Sequence, residues 1–69
     1  MINQDFTREI LRSQLLRGRA AIVSQKTIVD AMHRRRLDTN EAERVLGCLI
    51  SSRRILRRTL ADLEHKEPL

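Results

Sequence analysis

The sequence predicts an all-α fold: a long antiparallel two-helix hairpin, expected to dimerise into a four-helix bundle. Three observations predict it. Two apolar seven-residue repeats mirror each other across Leu37-Asp38-Thr39-Asn40-Glu41. A helix-capping pattern occupies the space between them. The apolar stripes are also wider than one contact seam between two helices requires.

The first repeat runs through Leu11, Leu15, Gly18, Ile22, Gln25, Val29 and Met32, at alternating spacings of four and three. Such spacing puts one stripe of a helix against a neighbour. Helix 1 is expected over about residues 5–35, with Asp5 or Thr7 as N-cap. Gly18 weakens its interior by about 1 kcal/mol relative to alanine without ending it. His33, Arg34, Arg35 and Arg36 suit the negative end of its dipole. An alternative splits this segment near Gly18–Val23, with Ser24 capping a new helix and Ser24–Leu49 forming a helix-turn-helix unit. The unbroken repeat and the absence of a turn glycine speak against that.

The turn is expected at residues 36–39. Asp38-x-x-Glu41 has the form of a capping box, with Asp38 as N-cap, and Leu37 and Ala42 stand at hydrophobic-staple positions. Helix 2 is expected over about residues 39–65, with Pro68 beyond it. Its repeat reads Ala42, Val45, Leu49, Ser52, Leu56, Thr59 and Leu63. A turn centred near Asp38 sets Gln25 opposite Ser52 and Gly18 opposite Thr59. The first pair is either a polar layer within the seam or a solvent-facing edge; the second allows close approach.

All 69 residues form one expected domain, 1–69. Chains below roughly 70–80 residues rarely gain more than about 3–5 kcal/mol from one core. Oligomerisation is therefore the expected support, with a dimer favoured. The self-association surface is assigned to Leu46, Leu49, Ile55, Leu56 and Leu60. A single cysteine, Cys48, rules out an internal disulfide framework, fits a cytoplasmic location and reads as a small buried thiol. No apolar run approaches the ~18 residues of a membrane span, and Met1–Asp5 lacks a signal-peptide pattern. No membrane association is expected.

The formal charge is +5, and twelve of the fourteen cations are arginine, a residue suited to bidentate binding of carboxylate or phosphate. The densest group is Arg53, Arg54, Arg57 and Arg58, read as projecting away from the seam, with Asp62 partly compensating Arg58. Arg17 and Arg19 of helix 1 fall at the same height and Arg12 a turn beyond. Arg12, Arg19, Lys26 and His33 also recur every seven residues along one edge. Arg12, Arg17, Arg19, Arg53, Arg54, Arg57 and Arg58 form the candidate anion or nucleic-acid face. Its occupant is solvent, an acidic protein, or the phosphates of duplex DNA or structured RNA. Phe6 is the only aromatic residue, which disfavours recognition of single strands by base stacking.

Enzymatic chemistry is not expected. Cys48, Ser51 and Ser52 lack a base at matching height, the two histidines fall at opposite ends, and Gly18 and Gly47 are isolated. No cofactor, metal or small-molecule substrate is expected. The reading is a small self-associating interaction or regulatory module, with nucleic-acid binding through the arginines as the alternative.

Gly18, Ile22, Gln25, Ile28, Asp38-Thr39, Ala42, Leu46 and Leu60, with an Asp-Thr-x-x-Ala turn, resemble a group of short, uncharacterised alphaproteobacterial helical-hairpin proteins. The resemblance covers about two thirds of the chain and implies a helical hairpin without catalytic residues. Members often carry glycine just before the turn, where this chain has Arg35-Arg36-Leu37.

Overall fold

The computed structural model describes residues 4–65, with Gln4 described by its backbone alone. Pro68 and residues 1–3 lie outside that range. Two helices, α1 (Gln4–Arg34) and α2 (Asn40–His65), pack antiparallel into a rod of 55 × 18 × 14 Å. Helix α1 is already running at Gln4, so neither Asp5 nor Thr7 is its N-cap. Asp5 instead pairs with Arg8 one turn on. It continues unbroken through Gly18–Val23, so the helix-turn-helix split does not form.

The turn is built from backbone bonds. Arg36 N–H donates to the His33 carbonyl (3.0 Å) and Leu37 N–H to the Met32 carbonyl (3.0 Å), the two crossed bonds of a Schellman motif. Arg36 sits at the left-handed position of that motif with φ of 58°. Glycine usually occupies this position, because a side chain there costs roughly 1–2 kcal/mol. Arg36→Gly is therefore expected to stabilise the hairpin by about 1 kcal/mol, raising Tm by roughly 4–8 °C in a thermal melt followed by circular dichroism.

The cap of α2 lies one residue later than the sequence suggests. The Thr39 carbonyl accepts the first helical bond from Glu43 N–H (2.8 Å), which makes buried Thr39 the N-cap. Asp38 supports it from outside, its Oδ1 accepting from Asn40 N–H at 2.9 Å. The capping box cannot close on Thr39, since the residue three further on is Ala42. Glu41 pairs forward with Arg44 at 3.2 Å. The staple is likewise displaced, and Leu37 stays half exposed.

The seam side of α1 follows the sequence repeat at every position: Leu11, Leu15, Gly18, Ile22, Gln25, Val29 and Met32 are all half-buried or buried. Helix α2 is turned by about half of the 100° between successive residues. Its seam consists of Ala42, Leu46, Leu49, Arg53, Leu56, Leu60 and Leu63, while Val45, Ser52 and Thr59 are exposed. Leu46 and Leu60 bury more apolar surface than Val45 and Thr59 would. Arg53 can hold the position between them because its hydrocarbon stem packs while its charged end reaches out. The same rotation carries Cys48 to the outside, where it is exposed rather than buried.

The facing pairs change accordingly. Gln25 donates its amide to the Ala42 carbonyl at 3.0 Å, tying α1 to the first turn of α2, and Ser52 takes no part. Gly18 faces Arg53 instead of Thr59, and Thr59 turns its hydroxyl back to the Ile55 carbonyl of its own helix. A Cβ at Gly18 would meet Arg53 side-chain carbons at 3.8 Å, an ordinary contact. Close helix approach therefore does not require this glycine. Gly18→Ala should add about 1 kcal/mol of stability, and a lowered Tm would contradict it.

Candidate functional site

Residues on either side of the seam define two flanks, because one step along a helix turns the chain by about 100°. Residues that follow a seam position stand on one flank, and residues that precede one stand on the other. Two long-range ion pairs fix which flanks of the two helices share a side. Arg12 meets Glu64 at 3.3 Å, and His33 meets Glu43 at 3.4 Å. All four residues follow seam positions.

These pairs are the ends of a ladder. Arg12, Arg19, Lys26 and His33 recur every seven residues on α1, and Glu64, Arg57, Ile50 and Glu43 do so on α2. The outer rungs enclose equal lengths of both helices, so constant register sets Arg19 opposite Arg57 and Lys26 opposite Ile50. The outer rungs are attractive. The second rung is two like charges, and the third is a cation against an apolar side chain. Each outer pair is about half exposed and is worth at most about 1 kcal/mol.

Between the inner rungs lies an open cavity of about 190 Å³, lined by Ile22, Ile50, Arg53, Arg54 and Arg57. Arg53 is anchored at its back edge. Its Nε donates to the Leu15 carbonyl at 3.4 Å, and its stem crosses α1 at Gly18. Among the described residues, no ion pair within 4 Å joins Arg19, Lys26, Arg54 or Arg57 to a carboxylate, whereas Glu43 and Glu64 are engaged at the ladder ends.

The opposite flank has different chemistry. Ile10, Gln14, Arg17, Ala21, Ser24, Ile28 and Ala31 precede seam positions of α1, and Glu41, Val45, Cys48, Ser52, Ile55, Thr59 and Asp62 precede those of α2. Arg17, Glu41 and Asp62 are the charges in this set, the two acids at the ends of α2. Ile10, Ile28, Val45 and Ile55 are 41%, 48%, 46% and 65% exposed.

The arginines grouped from sequence are thus divided. Arg19, Arg54 and Arg57 share the ladder side, with Arg12 neutralised at its end by Glu64. Arg53 lies in the seam rather than projecting away from it. Arg17 stands on the apolar flank. Arg58 points outward from α2; it shares a shallow cavity with Asp62 but forms no ion pair with it among the described residues. Sequence reasoning missed Lys26 and Ile50 as members of the site, although the edge running Arg12, Arg19, Lys26 and His33 carried the signal for Lys26.

Of the residues assigned to self-association, Leu46, Leu49, Leu56 and Leu60 are half-buried against α1, and Ile55 stands outside. Among the described residues, no group of histidine, cysteine and carboxylate side chains is arranged to hold a metal ion. No described helix is long and apolar enough to cross a membrane. Comparison with known protein families, with curated proteins and with solved structures finds no match.

Proposed function

We propose that this protein is a small, non-enzymatic interaction module that self-associates, two hairpins joining along their apolar flanks into a four-helix bundle. The observation that carries the reading is the incomplete core. Val29 is the only buried hydrophobic residue among those described, and α2 buries none. The chain exposes 5883 Å², roughly 1,400 Å² more than the ~4,500 Å² of an ordinary monomer of its mass. A standard interface removes about 800 Å² per partner, so a second copy would account for a little over half of the surplus.

The apolar flank suits that role. Ile10, Ile28, Val45 and Ile55 provide the bulk, with Gln14, Arg17, Ala21 and Ser24 between them on α1 and Cys48 and Ser52 on α2, and a twofold axis would place like flanks together. Both ladder sides would then remain outside. Kinship with the alphaproteobacterial hairpin group is proposed on the residues quoted above and agrees with a structural role.

Sedimentation equilibrium tests the proposal. The expected mass is about twice the 8.1 kDa of one chain, with helix content falling on dilution as the bundle dissociates. A helical, cooperatively melting species of single-chain mass at every soluble concentration would refute it.

A further inference from the structure

The ladder side poses a problem that the fold alone does not solve. Its outer rungs attract, yet the register sets Arg19 against Arg57 in the second rung, and three arginines, Arg53, Arg54 and Arg57, line the cavity beside it. Arg53 and Arg57, one helical turn apart, are a further like-charge pair. Nothing in the described residues neutralises this group. On the same side Glu43 and Glu64 hold the two ends and Asp30 stands one turn beyond Lys26, so positive charge concentrates around Arg19, Arg54 and Arg57.

We infer that this cavity and its rungs bind the phosphodiester backbone of duplex nucleic acid, with Arg19, Arg54 and Arg57 gripping phosphates and Lys26 adding a fourth contact. Guanidinium groups bind phosphate oxygens through paired hydrogen bonds, and an anion between Arg19 and Arg57 turns mutual repulsion into a shared attraction. The cavity is open to solvent, which suits a polymer laid across it better than an enclosed small ligand. Ile22 and Ile50 form an apolar floor that makes no hydrogen-bond demand on bases. Phe6, the single aromatic residue, lines a separate cavity with Glu9, Ile10 and Arg17 and offers no stacking platform at this one, so an intact duplex is favoured over a single strand. The inference does not depend on self-association, since each hairpin carries a complete ladder.

The test is fluorescence anisotropy with labelled DNA and RNA duplexes across a salt series, with polyglutamate as an acidic-protein mimic. Four phosphate contacts give a log–log salt slope of about −3.6, so affinity should fall roughly 150-fold from about 50 to about 200 mM salt. Arg57→Glu should weaken duplex binding at least tenfold while raising Tm, because it converts the repulsive rung into an attractive one. Arg19→Glu changes the same rung from α1 and should act alike. Arg34→Glu makes the same charge change away from the cavity and should cost much less affinity.

Opposite signs for binding and stability in the rung variants would separate a ligand site from a merely structural one. The inference is overturned if no duplex binds at the lowest salt, or if binding does not fall with salt. It is equally overturned if Arg34→Glu weakens binding as much as Arg57→Glu, or if polyglutamate binds as tightly as either duplex. The mass measured by sedimentation for Arg57→Glu should match the parent, keeping this result distinct from the test of self-association.

Discussion

Val29→Asp is expected to abolish the folded hairpin. Val29 is 6% exposed and is the most thoroughly enclosed apolar side chain of the seam. The cation of the seam, Arg53, packs at Gly18, about three helical turns away, and burial of an unpaired charge costs several kcal/mol at least. A core of this size supplies only about 3–5 kcal/mol, so the penalty exceeds the reserve. Far-ultraviolet circular dichroism should show loss of most helix at 25 °C. Val23→Asp is the matched control: the same chemistry on a side chain 58% exposed should leave the helix signal intact. A cooperative melt for Val29→Asp within a few degrees of the parent would show that the seam is not the stabilising contact.

The second large effect is expected from Ile28→Glu combined with Val45→Glu. Both isoleucine and valine stand on the apolar flank, one on each helix, and are about half exposed in the single hairpin. In the proposed bundle each would be covered twice, once per copy, so four carboxylates would be forced into one interface. Dissociation to single-chain mass should follow, accompanied by reduced helix content because the lone hairpin has little core. Leu16→Glu with Val23→Glu should leave the mass unchanged. Leu16 is 71% exposed, more than any other large apolar residue described, so exposure alone would nominate it as the interface. An outcome in which the Leu16 and Val23 pair dissociates the assembly, while the Ile28 and Val45 pair does not, would move the interface to the ladder side of α1.

Much of the hairpin was legible in the sequence. The stripe of α1 could be read position by position, since one of its neighbouring stripes is mostly charged and the other is broken by Gln14, Arg17 and Ser24. The phase of α2 could not, because two four-three repeats compete there. One runs through Val45, Ser52 and Thr59, the other through Leu46, Arg53 and Leu60. Counting Arg53 as a charge favours the first, whereas its buried stem and the two leucines decide for the second. That single choice also accounts for exposed Cys48 and for the division of Arg53 from Arg54, Arg57 and Arg58. The turn was read one residue early for a related reason: Asp38 carries the stronger capping side chain, but the backbone bond that starts α2 comes from Thr39.

The charged side of the molecule was legible only in halves. The seven-residue recurrence of Arg12, Arg19, Lys26 and His33 is visible in the chain, and so is the recurrence of Glu43, Ile50, Arg57 and Glu64. Neither shows which members face each other until the register is known. Once it is known, the acids at the ends neutralise the outer cations and leave the inner ones unpaired. Sequence reasoning located the arginines; the fold determines which of them are free to act.

The ladder also constrains how chains may be exchanged. Two copies that opened their turns and traded α2 would meet the same two periodic edges, and a slip by seven residues would leave the seam periodic. The outer pairs make the alignments unequal. Sliding one way pairs Arg19 with Glu64 and sets Lys26 against Arg57; sliding the other pairs Lys26 with Glu43 and sets Arg12 against Arg57. Either slip keeps one attraction where the native alignment has two. Pairs too weak to hold the hairpin together can therefore still act as an alignment code, rejecting the near-misses that a purely leucine seam would tolerate.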